Sequence, residues 1–253
     1  MNAAFSLEDD LFGSGQKASF NKIDVLPASV IDVGAQLQIR RDKGGHDNTS
    51  SRAEYSHFPQ EVASICYELF LRDATSIFDP FAGWGERGAF AKTFNKNYVG
   101  FDINPVAIES ALNLYGVQNT LADSADDDIP EFDGLITCPP YWNLESYSDS
   151  GIDAIQTWGK FLFEYRRIIE RCYLSAKSGT NFCFMVGDWR DSGKYYDFTH
   201  QTRAALYSCG AVPVDELCVS RKLVSKIKVM IPQAVRLGYT VKVHETLLVF
   251  RKR

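Results

Sequence analysis

Short apolar runs alternate with helix-period stretches from residue 76 to residue 209, and this alternation settles the fold class before any motif is read. Residues 76–78, 98–101, 117–121, 132–137 and 181–186 read as strands. Residues 87–95, 106–115, 158–176 and 195–209 read as helices. A strand that is followed by a helix and then by another strand pairs with it in parallel, with helices laid on both faces. The expected class is therefore α/β with a mainly parallel sheet. Two closing runs, 212–219 and 241–250, have no helix-length pattern between them and are expected to pair antiparallel. Ahead of the alternation a helix opens at Phe58-Pro59, with Val62, Ile65, Cys66, Leu69 and Phe70 at helical spacing. Residues 1–57 read as an extension: 1–20 are poorly patterned, and 35–57 carry the glycine, serine and asparagine of a loop. Residues 58–253 make up the main domain.

The 253 residues suit one such domain, and 45% hydrophobic residues supply an ordinary core. No apolar stretch approaches the roughly 18 residues of a membrane span. The amino terminus carries acids and lacks the apolar core of a signal peptide, so the expected location is the cytoplasm. Six cysteines form no C-x-x-C pair and have no histidine at zinc spacing, so neither metal nor disulfide is expected. The net charge of −5 does not advertise nucleic-acid binding, but its distribution is uneven. Acids cluster at 123–133. Bases cluster at Arg40, Arg41 and Lys43, and again at 221–228, which is compatible either with DNA contact or with solvated loops.

Asp79-Pro80-Phe81-Ala82-Gly83-Trp84-Gly85-Glu86-Arg87-Gly88 follows the first strand of the alternation directly. Gly83, Gly85 and Gly88 let backbone approach a ligand, and Asp102, before Ile103 at the end of the next strand, suits two ribose hydroxyls. The glycines alone are compatible with NAD. The carboxylate of Asp79 favours a cationic ligand such as S-adenosylmethionine, whose amino group it is expected to bind directly or through water; the bland alternative is a turn or cap residue. Asp123, after the third weak strand, is a candidate for an adenine amino group.

The run 132–137 is stopped by Cys138-Pro139-Pro140, with Tyr141 and Trp142 just beyond. Proline lacks an N–H and fixes φ, so the strand ends in a stiff stub with unpaired carbonyls. A rigid carbonyl beside an aromatic face suits a flipped-out base: the carbonyl accepts from the amino group and the ring stacks. Position 138 is either a weak acceptor or a nucleophile. Trp142 either walls the pocket or packs in the core.

Taken together, Asp79-Pro-Phe-x-Gly-x-Gly, Gly100-Phe-Asp102, Thr137-Cys-Pro-Pro-Tyr-Trp142, Val186-Gly-Asp-Trp-Arg190 and His244-Glu-Thr-Leu-Leu-Val-Phe250 resemble the S-adenosylmethionine-dependent DNA amino-methyltransferases of phages and mobile elements. The resemblance runs from about residue 27 to residue 252. It implies a Rossmann-like class I fold with a seven-stranded, mainly parallel sheet and an antiparallel last strand. It also implies methyl transfer to the exocyclic amino group of cytosine or adenine in DNA. The implied cofactor residues are Asp79, Pro80, Phe81, Gly83, Gly85, Asp102, Ile103 and Asp123. The implied catalytic stretch is Cys138, Pro139, Pro140 and Tyr141, with Trp142, Arg40, Arg41 and Lys43 on the substrate side. Cysteine replaces the acid, asparagine or serine usual at position 138, which keeps a catalytically silent DNA-binding homologue in play, and similar stubs also serve RNA and protein glutamine. There is little room for a large target-recognition domain. Groove-reading candidates reduce to residues 35–57, 143–151 and 221–236, so relaxed or short-site specificity, or a homodimer, is expected.

Overall fold

The structure is a computed structural model that describes residues 28–33, 58–143, 151–221 and 225–253. Arg40, Arg41 and Lys43 lie outside the described residues, as does most of the stretch 143–151.

In chain order the main strands are β1 (Val30–Val33), β2 (Ser76–Asp79), β3 (Asn97–Asp102), β4 (Thr120–Leu121), β5 (Phe132–Thr137), β6 (Ala176–Val186), β9 (Val212–Arg221) and β10 (His244–Arg251). They form one eight-stranded sheet in the order β1-β9-β10-β6-β5-β2-β3-β4. β10 runs antiparallel to both of its neighbours, and every other pairing is parallel. The sheet has eight strands rather than seven because Val30–Val33, within the extension, pairs along Cys218–Arg221 and adds an edge strand.

Two expectations need correction. The expected antiparallel pair β9–β10 forms, but helix α6 (Ser225–Leu237) lies between the two strands. Pro232 in its middle interrupts the helical reading of that stretch, because proline removes an N–H and disfavours helix interiors. The helix expected from residue 195 starts later, as α5 (Phe198–Ser208), after a hairpin of β7 (Trp189–Asp191) and β8 (Lys194–Tyr196). Its two-residue turn, Ser192-Gly193, has φ of 51° and 81°, the positive-φ pair that matches the twist of a tight hairpin.

The remaining helices are α1 (Gln60–Ile65), which runs on into a π-helical turn at Cys66–Phe70, α2 (Glu86–Thr93), α3 (Pro105–Tyr115) and α4 (Trp158–Ser175). α3 is bounded by its own sequence. The Asn104 side chain accepts from the N–H groups of Val106 and Ala107, Pro105 opens the first turn, and Gly116 closes the helix at φ 61°. α4 buries Phe161, Tyr165, Ile168, Ile169 and Cys172, the inner stripe of an amphipathic helix, while Phe163 on its other side is exposed.

Strand alternation sorts the core into two layers. Phe78, Leu135 and Phe184 face α4 and α5, whereas Ile77, Ile136 and Cys183 face α1. Each fully buried phenylalanine contributes roughly 1.5–3 kcal/mol. Phe78, Phe132, Phe182 and Phe184 thus give the α4 side a stiff aromatic platform. Because β1, β2, β5 and β9 are all parallel, the chain leaves the sheet at Val33, Asp79, Thr137 and Arg221 along one edge, and β10 enters there at His244. Among the described residues no helix is long and apolar enough to cross a membrane.

Candidate active site

A cleft at that edge encloses about 1090 Å³, open mouth included. The glycine loop after β2 forms one wall and the proline stub after β5 the other. Pro80, Phe81, Gly83, Asp102, Ile103 and Asp123 line it together with Cys138, Pro139, Pro140 and Tyr141. Ten of the residues singled out from sequence therefore meet in one cavity, although positions 81 and 139 are far apart in the chain.

Asp79 is not in that wall. It is fully buried, and its two oxygens accept four hydrogen bonds. Oδ1 accepts from Phe81 N–H (3.2 Å) and Thr137 Oγ1 (2.7 Å), and Oδ2 accepts from Arg87 Nε (2.6 Å) and Tyr98 Oη (2.8 Å). A carboxylate has about four acceptor sites. All four are taken, so the expected direct bond from Asp79 to a ligand amino group is corrected. Asp79 instead ties the glycine loop to the residue that precedes Cys138. Burial alone works against the charge on Arg87, but Asp79 outweighs it and holds the guanidinium firmly protonated. Burial, and then the same carboxylate, pushes the Tyr98 phenol up, so it stays a donor.

Two further expectations are corrected by packing. Gly85 faces α3 and not the cleft: at φ 86°, a Cβ there would meet the Ala111 Cβ at 2.6 Å. Only glycine combines that conformation with that approach. Trp142 donates through Nε1 to the Ile155 carbonyl (2.6 Å) and packs against Trp158 and Tyr196, so it belongs to the aromatic core behind the stub.

Gly83, by contrast, bends the loop at φ 53°, and a Cβ there would meet nothing nearer than the Phe81 carbonyl oxygen at 4.0 Å. Its N–H donates to Asp102 Oδ2 (2.7 Å), while Asn104 N–H donates to Asp102 Oδ1 (2.8 Å). Burial pushes the Asp102 carboxyl up, and these two backbone bonds pull against it. One acceptor site per oxygen remains for a ligand. Asp123 Oδ1 accepts from Ala125 N–H (2.8 Å), which fixes the turn after β4. The neighbouring Ser124 hydroxyl donates to the Pro80 carbonyl (2.9 Å) and pins that turn to the glycine loop.

On the stub, the Tyr141 ring stacks on Trp189 at 5.5 Å and 4°, and meets Phe198 edge-on. Its hydroxyl donates to Glu245 Oε1 (2.8 Å). Glu245 itself lines the cleft at the start of β10. It was missed as a site residue although the His244-Glu245-Thr246 motif carried the signal. Arg87 and Phe58 were also missed. Both line the cleft, with the guanidinium 5.2 Å from the Phe58 ring centre. Among the described residues Glu86, Asp102, Asp123, Asp153 and Glu245 line the cavity, and the one guanidinium there is that of Arg87, itself paired with Asp79. Such a wall favours a cationic ligand and disfavours a pyrophosphate.

No protein-family model matches the chain. Over 147 aligned residues it is 26% identical to the type II methyltransferase M.XycI of Xanthomonas campestris pv. cyanopsidis and 22% identical to the type II methyltransferase M.Cfr9I of Citrobacter freundii. Each alignment covers 46% of this chain and 49% of the relative, so the chain spans about half the length of the curated relatives it matches. Among solved structures it resembles the N-methyltransferase NodS from Bradyrhizobium japonicum WM9 in complex with S-adenosyl-L-homocysteine, with a TM-score of 0.51 and 13% identity over 80% of this chain and 91% of that one. TrmN from Thermus thermophilus matches with a TM-score of 0.50 and 14% identity over 76% of this chain and 49% of that one. At these identities the likeness is one of fold, and the fold is the Rossmann-like class I fold of S-adenosylmethionine-dependent methyltransferases.

Proposed function

We propose that this chain transfers a methyl group from S-adenosylmethionine to the exocyclic amino group of cytosine or adenine in DNA. The observation that carries the reading is the single cleft with the glycine loop on one wall and the Cys138–Tyr141 stub on the other. The similarity to two type II methyltransferases supports it. Five carboxylates facing the cavity suit a ligand with a sulfonium and an ammonium group. When bound, S-adenosylmethionine supplies an electrophilic methyl group on a cationic sulfur.

The chain's own residues bind and orient. The Gly83 bend and Phe81 receive the cofactor, Asp102 offers its remaining acceptor sites to ribose hydroxyls, and Asp123 stands at the adenine end. The Pro139 carbonyl accepts from the base amino group and draws its nitrogen towards tetrahedral geometry. That exposes a lone pair otherwise delocalised into the ring. Tyr141 offers a ring face for stacking, worth roughly 1–3 kcal/mol. Trp189 behind it and Glu245 at its hydroxyl fix the angle of that face. No covalent intermediate is required, and catalysis rests on positioning. Cys138 borders the amino group as a weak acceptor. A Cys138→Ser protein that keeps turnover excludes a nucleophilic thiol.

The reading includes relaxed or short-site specificity, because the sequence offers only the stretches 35–57, 143–151 and 221–236 as candidates for reading a groove. Mapping modified sites on a plasmid tests that point. The central test is nucleoside analysis of DNA incubated with purified protein and labelled S-adenosylmethionine, beside RNA and protein substrates. Label in N4-methylcytosine or N6-methyladenine is expected. Label only in RNA or in protein glutamine, or DNA binding without turnover, overturns it.

A further inference from the structure

We infer that the hairpin β7–β8, with Tyr239 and Lys242 packed against it, is a phosphate-binding face that grips the DNA backbone beside the base pocket. The inference rests on the DNA reading above.

Alternation along the hairpin splits its side chains. Trp189 and Tyr196 are cross-strand partners and turn inward, where Trp189 stacks on Tyr141 and Tyr196 stacks on Trp189 at 5.2 Å and 16°. Arg190 and Tyr195, the next pair, take the other face. The Arg190 guanidinium lies 4.8 Å from the ring centres of both Tyr195 and Tyr239, sandwiched between two aromatic faces. Lys242 stands 5.0 Å from the Tyr195 ring on that face, whereas exposed Lys194 alternates to the other side, 5.0 Å from the Tyr196 ring. The patch is joined to the stub at both ends: Trp189 touches Tyr141, and the Asn143 amide donates to Asp191 (3.0 Å).

The chemistry of this arrangement selects an anion. An arginine paired with a carboxylate is neutralised. One held by tyrosine faces keeps its field for an external partner, and its planar fork matches a phosphate. Among the described residues no carboxylate pairs with Arg190, and its buried Nε has no hydrogen-bond partner. The nearby acids take neutral donors and no ion pair to Arg190: Asp188 accepts from Tyr195 Oη and Thr199 N–H, and Asp191 from Asn143 and Ser192. An independent feature points the same way. Between Glu216 and Glu245 the sequence holds Arg221, Lys222, Lys226, Lys228, Arg236 and Lys242 and no acid at all, on a chain of net charge −5. The strands that flank that crossover, β9 and β10, leave and enter the sheet at the same edge as the cleft, whose lining among the described residues is acidic. A polyanion that must deliver one base into the cleft fits this division.

The test uses the full chain and a fluorescently labelled duplex of about 20 base pairs, with binding followed by anisotropy across a salt series. Each phosphate contact contributes about 0.9 to the slope of log affinity against log salt. The double variant R190Q/K242Q is expected to lower that slope by about one to two and to keep the wild-type affinity for S-adenosylhomocysteine. The single variant K242Q, which leaves the stacked arginine in place, is expected to lower it by about one and guards against misfolding of the double. A wild-type slope in both variants overturns the inference while leaving methyl transfer to DNA intact. Wild-type protein that binds duplex RNA but not DNA, with a slope that falls in the variants, overturns the DNA assignment of this face. Failure of nucleoside analysis to find modified DNA is the separate failure of the parent reading.

Discussion

The two walls of the cleft are held by different physics. The glycine-loop wall is fixed by charge and hydrogen bonds: Asp79 satisfies four donors, Asp102 holds Gly83 and Asn104, and Ser124 holds Pro80. The stub wall is fixed by rings: Tyr141, Trp189 and Tyr196 stack in series, with Trp158 and Phe198 edge-on. Directional bonds fix the loop to one geometry and make it intolerant of lost charge. Stacked rings resist bending but tolerate exchange of one aromatic for another. The difference suits the tasks. One wall orients a ligand with fixed donors and acceptors, and the other presents a flat face to any base.

The sharpest way to break this comparison is Asp79→Ala. Removing the carboxylate leaves Arg87 buried without its counter-charge and two hydroxyls without an acceptor, and breaking such a pair costs about 3–5 kcal/mol. For a chain of this size that corresponds to a fall in Tm on the order of 10 °C. Calorimetric melting without cofactor reads it. An unchanged melt with weakened cofactor binding would instead return Asp79 to the role of a ligand contact.

The two glycines of the loop come next. Gly85→Ala places a Cβ 2.6 Å from Ala111 at positive φ, so it combines overpacking with backbone strain and is expected to cost roughly 2–4 kcal/mol. Gly83→Ala meets no close neighbour and carries only the strain, roughly 1–2 kcal/mol, but it stiffens the bend that faces the cavity. Denaturant melts should rank Gly85→Ala as the more destabilised, whereas titration with S-adenosylhomocysteine should rank Gly83→Ala as the weaker binder per kcal/mol lost. Equal rankings in both assays would erase the distinction between packing and ligand glycines.

On the ring wall, Tyr141→Ala should cut kcat/KM for DNA about 5- to 150-fold, the equivalent of one lost stacking contact, with cofactor affinity kept. Tyr141→Phe should lose far less, because the ring stays on Trp189 while the hydroxyl's bond to Glu245 goes. A Phe variant as impaired as the Ala variant would mean that the hydroxyl, not the ring, carries the function.

These contrasts also explain what was legible in the sequence. Strands β2, β3, β5 and β6 and helices α2 to α4 announce themselves because their burial follows local period and local caps, as at Asn104 and Gly116. The meeting of residues 79–87 with 137–141 followed from strand order at a parallel edge. The partners of Asp79 did not: Tyr98 and Thr137 reach it from β3 and β5, across 19 and 58 residues, and nothing local marks a carboxylate as saturated. The hairpin was hidden because Tyr195 and Tyr196 also fit the start of a helical stripe, and the turn signal is a single Ser-Gly pair. Helix α6 was hidden by Pro232. Glu245 acquires meaning only when β10 is threaded between β6 and β9, which brings it to Tyr141.

The smallest expected effect compares an acid of the cleft with one remote from it. Partial burial works against the Asp133 charge, but hydrogen bonds from Ser76 and Thr75 outweigh it and hold its carboxyl below the usual range. Its folded pKa is depressed, so its stabilisation is present above the unfolded value of about 3.9 and is lost as pH falls through the folded value. Asp133 is only partly buried, so screening by solvent keeps that contribution small. Asp102 has the opposite sign. Burial raises its folded pKa against the pull of Asn104 and Gly83, so its ionised form costs stability at neutral pH, and the cost is relieved as pH falls through the folded value towards the unfolded one. Asp133→Asn should therefore be less stable than wild type at pH 7, with the gap closing towards pH 3. The gap between Asp102→Asn and wild type should instead shift in favour of wild type as pH falls. Urea melts between pH 3 and pH 7 measure both slopes. Two slopes of the same sign would mean that the cleft carboxylate is held as a surface acid is, and the cleft would lose the one acid whose ionisation is opposed by burial and set by two backbone donors.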